Sequence, residues 1–141
     1  MWAFVVYDSN TKEMFGARDR FGIKPFYYYY NSKIFLFSSE IKQLLLSPHV
    51  KRNPDNHTIF SYIYDGKIDH SNQTFFKNIF KLEPSHSIIL KDNKINFIRY
   101  WDLPYGEEFS ITNEKIACEN FSNLFADAVR LRMRSDVPVG S

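Results

Sequence analysis

The sequence predicts an α+β chain: mainly antiparallel β structure with short helices up to about residue 105, then one long helix. Three observations point there. Short β-rich apolar runs are separated by turn clusters, as in Trp2–Tyr7 followed by Asp8-Ser9-Asn10. The apolar period changes from two to 3.6 after Leu103-Pro104-Tyr105-Gly106, which reads as a linker. Aromatic residues make up 18% of the chain, with 14 Phe and 9 Tyr, and suit a large aromatic core.

Each element has a local reason. Trp2 to Tyr7 is apolar throughout and reads as a strand buried on both faces. Met14 to Arg18 returns as a second strand, making residues 2–18 a hairpin. Phe26 to Tyr30 and Ile34 to Ser38 are the third and fourth strands, joined by Asn31-Ser32-Lys33, and the four strands form an antiparallel meander. Ser39 is placed as a helix cap with Glu40 in the first turn, and Ile41, Leu44 and Leu45 form one apolar face up to Ser47-Pro48. A second short helix spans Pro54 to Tyr64 with Ile59, Tyr62 and Ile63 inward, stopped by Asp65-Gly66. Residues 65–73 are loop-like. Glu83-Pro84-Ser85-His86 is a turn, and Ser87–Lys91, Asp92-Asn93 and Lys94–Trp101 make a second hairpin. Thr112 is placed as the cap of the long helix, with Glu114 in its first turn. Its apolar stripe is Ala117, Phe121, Leu124, Phe125, Ala128 and Leu131, its cationic end Arg130, Arg132 and Arg134, and its stop Pro138.

Composition narrows the function classes. The net charge is +2 with both signs mixed, which argues for neither nucleic acid nor a membrane surface as partner. No apolar run approaches the roughly 20 residues that span a bilayer. A single cysteine, Cys118, excludes an internal disulfide framework and fits a cytoplasmic location. The chain enters a strand at once, without the basic start of a signal peptide, so Met1 is read as an internal residue of a longer protein.

Residue chemistry assembles no catalytic site. Cys118 reads as a small buried hydrophobe near the start of the long helix. His49, His57, His70 and His86 have no metal-ligand spacing. Glu40, Asp55, Asp65, Asp69 and Glu83 stand as single carboxylates, and neither a phosphate-binding glycine loop nor a nucleophile elbow occurs. The stretch Ala17-Arg18-Asp19-Arg20-Phe21-Gly22-Ile23-Lys24-Pro25 is the densest cluster of charge and turn chemistry. A buried Asp19 between arginines would pin this loop, with Gly22 supplying a tight turn.

Wording and order say more than composition. Met1-Trp2-Ala3-Phe4-Val5-Val6-Tyr7-Asp8, the Ala17–Tyr28 stretch, and Phe37-Ser38-Ser39-Glu40-Ile41-Lys42-Gln43-Leu44-Leu45 closely resemble the glutamine-hydrolysing asparagine synthetases. Ile79-Phe80-Lys81-Leu82-Glu83-Pro84-Ser85-His86 is similar to that family's I-x-x-L-x-P-G-H turn, with Ser85 in place of glycine. Arg99-Tyr100-Trp101 is similar to the end of its amidotransferase domain, and Ala128 to Ser141 to the segment entering its ATP pyrophosphatase domain. The resemblance implies that residues 1–105 are the later part of an N-terminal-nucleophile amidotransferase, an α/β/β/α sandwich. Residues 106–141 would be the linker and first helix of an adenine-nucleotide α-hydrolase-like domain.

The same resemblance implies the parent chemistry. A thiolate hydrolyses glutamine, and ammonia crosses inside the protein. ATP with Mg²⁺ activates aspartate as β-aspartyl-AMP, which ammonia converts to asparagine. The implied partners are glutamine, aspartate and ATP, with homo-oligomerisation left open. The alternatives are a related ligase that amidates another carboxylate or closes a β-lactam ring, and a non-catalytic scaffold.

Departures from the family decide the site expectation. The family's nucleophilic cysteine, glutamine-binding arginine and N-G-E segment lie upstream of Trp2, and its pyrophosphate loop S-G-G-x-D-S follows beyond Ser141. No catalytic, cofactor-binding or metal residue is therefore carried over to this chain. The 141-residue chain alone is expected to release no glutamate from glutamine. A glutaminase assay on purified protein checks this, and sustained turnover contradicts it.

Overall fold

The computed structural model describes residues 1–105 and 113–140. The chain divides into two compact units, Met1–Leu103 and Pro104–Ser141. The first contains strands β1 (Ala3–Asp8), β2 (Glu13–Arg18), β3 (Tyr27–Tyr30), β4 (Phe35–Ser38), β5 (Ile79–Lys81), β6 (His86–Lys91) and β7 (Lys94–Arg99). Its helices are α1 (Ile41–Leu44) and α2 (Asn56–Asp65). The second unit contains α3 (Glu114–Arg132).

The strands form two antiparallel sheets, not one meander. One is ordered β1-β2-β6-β7 and the other β4-β3-β5. Both expected hairpins are present, β1 with β2 and β6 with β7. Asp92 and Asn93 both take positive φ, 48° and 58°, as the tightest hairpin turn requires. The expected continuity from β2 to β3 fails because the chain changes sheets between them. A local alternation pattern specifies strand faces but not which strand pairs with which.

The two sheets face each other. Met14 and Ile88 of the four-stranded sheet meet Tyr28 of the three-stranded sheet, with Phe26 and Leu82 completing the cluster. Tyr28 and Phe97 have ring centroids 5.6 Å apart, linking β3 to β7. The other face of the smaller sheet packs Tyr29 and Ile79 against Leu44 of α1 and Val50. This explains the run of four tyrosines. Tyr28 and Tyr30 point between the sheets, while Tyr27 and Tyr29 point toward α1, so both faces of β3 are covered. Burial pushes the Tyr28 phenol up to about 12, with a smaller contribution from Glu83.

Several local expectations are corrected. β1 is an edge strand, and its outward residues Phe4 and Val6 are exposed, so it is not buried on both faces. Trp2, Phe4 and Phe15 form an aromatic row on that outer face, with centroids 5.3 Å and 6.0 Å apart along the row. Glu40, not Ser39, caps α1, and the Gln43 side chain accepts from the Glu40 N–H at 3.4 Å. The Ile41, Leu44 and Leu45 face is as expected. In α2 the buried position is Thr58, whereas Tyr62 and Ile63 are exposed. Asp55 caps α2 by accepting from Thr58 N–H at 2.8 Å, and Gly66 ends it in the left-handed conformation.

In the second unit, Asn113 caps α3 by accepting from Ile116 N–H, and Thr112 lies outside the described residues. The helix ends at Arg132, well before Pro138, and Arg130 and Arg132 occupy its last turn. No residue of α3 is buried, and Cys118 is exposed rather than packed as a small hydrophobe. Among the described residues no helix is long and apolar enough to cross a membrane.

Gly16 shows how closely the sheets pack. It lies directly opposite Ile88 across the β2–β6 ladder. A Cβ there would sit 2.9 Å from Ile88 Cγ2 and 3.1 Å from the Phe26 ring. Gly16→Ala is expected to destabilise the first unit by about 1–3 kcal/mol through overpacking, despite the better strand propensity of alanine. Urea unfolding of both proteins measures this, and equal midpoints would show that the core yields freely.

Candidate functional site

The densest polar construction of the first unit lies where the chain crosses between its two sheets. Residues 19–26 carry it from β2 to β3, and residues 82–85 carry it back from β5 to β6. Both crossings lie side by side and are tied to each other. Leu82 N–H donates to Phe26 O at 2.9 Å, and Ser85 N–H donates to Asp19 O at 3.1 Å. The Ser85 hydroxyl donates to Arg20 O at 2.9 Å.

Asp19 is the centre of this construction. It is only 5% exposed. Its carboxylate accepts from four backbone N–H groups: Trp2 at 3.2 Å, Phe21 at 3.2 Å, Ile23 at 3.0 Å and Lys24 at 3.0 Å. The expectation of a carboxylate held between arginines is thus corrected, since its partners are amides. Burial pushes the carboxyl up and is the largest single influence. The four N–H donors together outweigh it and hold Asp19 at about 2.

Arg18 plays the complementary part by donating to carbonyls. Its Nε donates to Lys24 O at 2.8 Å, Nη1 to Leu82 O at 2.6 Å and Nη2 to Gly22 O at 2.6 Å. Partial burial lowers the Arg18 pKa, while the Asp19 charge acts in the opposite direction. Gly22 has φ of +63°, and a Cβ there would lie 2.9 Å from Pro84 and 3.0 Å from the Arg18 guanidinium carbon. The turn thus needs glycine for conformation and for space.

The end of β7 joins the same cluster. Tyr100 N–H donates to Ser85 O at 2.9 Å, and its hydroxyl donates to Arg18 O at 2.5 Å. Arg20 lies over the Trp101 ring at 5.8 Å, and Phe21 meets that ring edge-on at 5.5 Å. Ser85 adopts φ of +61°, a conformation that favours glycine. Its hydroxyl and both its backbone polar groups are engaged, which holds a serine there.

Each of these contacts joins one protein group to another. The single carboxylates singled out in the sequence each have a structural partner: Glu40 with Lys42, Asp55 as a cap, Asp65 with Lys67, Asp69 with Lys81, and Glu83 with His86. His49, His57, His70 and His86 do not converge. Among the described residues, no group of three His, Cys, Asp or Glu side chains could hold a metal ion. The sequence shows a charged loop at residues 18–24. It carries no signal that Leu82, Ser85 and Tyr100 would close on that loop, because hydrogen bonds to backbone atoms leave little mark on side-chain identity.

The Asp19 shift carries a pH signature. A carboxyl with folded pKa near 2 and an unfolded value of 3.8 stabilises the fold fully above about pH 4. That contribution, about 2 kcal/mol, is lost as pH falls through the folded value. Asp19→Asn is expected to cost about 2–3 kcal/mol at pH 7, because it removes charge-assisted hydrogen bonds at a buried site. It should also flatten the loss of stability between pH 4 and 2. Denaturant titrations across that range decide it, and an unchanged acid limb would assign the acid sensitivity to other groups.

Comparison with known proteins places this architecture. The model of a family described as a glutamine amidotransferase domain matches residues 1–101. "Putative asparagine synthetase (glutamine-hydrolyzing) 2" of Methanocaldococcus jannaschii is 40% identical over 145 residues, covering all of this chain and 28% of that protein. "Asparagine synthetase (glutamine-hydrolyzing) 3" of Bacillus subtilis is 34% identical over 139 residues, covering 99% of this chain and 22% of that protein. An amidase of Gibberella zeae is 33% identical over 146 residues, covering 98% of this chain and 20% of that protein. The chain thus spans between a fifth and just over a quarter of the length of these relatives. With the match running from the first strand through Trp101, at the end of the clasped crossings, the chain belongs to the glutamine amidotransferase domain family.

Proposed function

We propose that this chain is a segment of a glutamine-hydrolysing asparagine synthetase. In this reading residues 1–105 are the later part of its amidotransferase domain, and residues 106–141 open its ATP-dependent domain. One observation carries it: similarity to proteins named asparagine synthetases continues over 100% and 99% of this chain, past residue 101 where the amidotransferase family match ends. Similarity through α3 is what a chain joining these two domains would produce.

The parent enzyme would hydrolyse glutamine in the first domain and use the ammonia to amidate aspartate in the second. ATP and Mg²⁺ would activate the aspartate carboxyl by adenylation. Among the described residues no group of three His, Cys, Asp or Glu side chains could hold a metal ion, and in this reading other parts of the parent enzyme would hold ATP and Mg²⁺. What this chain supplies is position. The clasp from Asp19 and Arg18 to Leu82, Ser85 and Tyr100 holds two facing sheets in fixed relation at one end. A thiolate attacking an amide needs that rigidity, since small misplacements of reacting groups are costly.

A second reading has its own observation. The protein of Gibberella zeae that matches 98% of this chain is named an amidase and not an asparagine synthetase, so a parent that does not form asparagine fits the same segment. The whole gene product, purified and incubated with glutamine, ATP, Mg²⁺ and aspartate, distinguishes them. Asparagine, glutamate and AMP in equal amounts are expected. Glutamate without asparagine, whatever the fate of the ammonia, supports the second reading. Neither product under any acceptor refutes both.

A further inference from the structure

A polar cavity lies apart from the clasped crossings, on the α1 side of the smaller sheet. Its volume is about 430 Å³. Its walls come from three chain segments: the end of β3 at Tyr29 and Asn31, the connection at His49, Lys51 and Asn53, and the turn at Lys77 and Asn78. No Asp or Glu lines it. Lys51 and Lys77 make no salt bridge among the described residues. Lys77 also acts on the Asp55 carboxylate, but that group is committed to capping α2.

The floor is Tyr29. Tyr29 is 7% exposed. Its hydroxyl accepts from Asn31 Nδ2 at 3.1 Å, and among the described residues no acceptor receives the hydroxyl proton. The Asn31 amide oxygen is already taken by Lys33 and Ile34 N–H groups, so this side chain presents its donor end to Tyr29. Backbone geometry fixes the turn: Asn78 has φ of +65°, and Lys77 N–H donates to Asn53 O at 2.9 Å.

We propose that this cavity binds the phosphate group of a small ligand. Two lysine ammoniums match the charge of a phosphate dianion, and the Tyr29 hydroxyl and the Asn53 and Asn78 side chains add neutral donor groups to the lining. A carboxylate would use one cation and leave the second uncompensated. The cavity is roomier than a phosphate ion needs, and its asparagine lining suits a polar body attached to the phosphate. The proposal needs nothing from the synthetase reading, because it stands on this cavity's own charges.

Amide NMR titration of the 141-residue chain at low ionic strength tests it, with inorganic phosphate, glycerol phosphate and acetate as separate probes. Saturable shifts around residues 49–53 and 77–78 are expected with the two phosphates and not with acetate. Tighter binding of glycerol phosphate identifies a phosphorylated small molecule as the ligand class, and tighter binding of phosphate identifies the free ion. Lys51→Gln or Lys77→Gln, both at exposed positions, should weaken phosphate binding by about five- to tenfold. Tyr29→Phe should weaken it by about two- to fivefold while keeping the ring in the core. His49→Gln, which leaves both lysines in place, serves as a milder second probe. Equal binding of acetate, lysine variants with wild-type affinity, or no saturable shift at millimolar phosphate would each overturn the proposal.

Discussion

The Asp19 carboxylate accepts hydrogen bonds from the amides of Trp2, Phe21, Ile23 and Lys24 at a site almost closed to water. A buried carboxylate is costly unless its lone pairs are filled, and here the backbone fills them. One of those amides lies at the entry to β1, and the other three lie in the crossing from β2 to β3. A single side chain therefore sets where the first strand begins and how the chain leaves the second. Arg18 does the same in the opposite sense, closing carbonyls from that crossing and from Leu82 in the return crossing.

The rest of the first unit depends on this because both sheet-to-sheet crossings meet there. Two sheets packed face to face are held along their length by side-chain contact, which is non-directional and tolerates sliding. Directed hydrogen bonds at one end remove that freedom. With the end pinned, Met14, Phe26, Tyr28, Leu82 and Ile88 come to one depth between the sheets. Gly16 then has no room for even one methyl group. The Tyr100 hydroxyl and the Arg20–Trp101 contact extend the clasp to the last residues before the second unit.

Local structure was largely legible in the residues. Asp8-Ser9-Asn10, Asn31-Ser32-Lys33 and Asp92-Asn93 announced turns, and the Asp8 and Asn31 side chains do close their own turns. Ile41, Leu44 and Leu45 announced a helix face, and Gly66 announced a stop. The failures share one cause. Trp2–Tyr7 looked buried on both faces because its residues are apolar, yet burial depends on neighbours, and β1 has a strand on one side only. Tyr62 and Ile63 of α2 and the stripe of α3 misled in the same way. Apolar residues state that a cover is favourable, not that the described residues provide it.

By itself the sequence determined six of the seven strands, the turns, the family resemblance and the loop where charge gathers, because these depend on near neighbours along the chain, while β5 (Ile79–Lys81) went unassigned. The tertiary structure alone decided that β2 and β3 belong to different sheets. It also decided that Asp19 faces amides rather than arginines, and that Ser85 can hold a glycine conformation. Sequence-distant partners such as Leu82, Ser85 and Tyr100 meet the Arg18–Lys24 loop through backbone atoms, which every residue carries alike. The cavity of Lys51 and Lys77 was hidden for a related reason. Its three walls are far apart in the chain, and only folding brings Lys51, Lys77 and Tyr29 to one cavity.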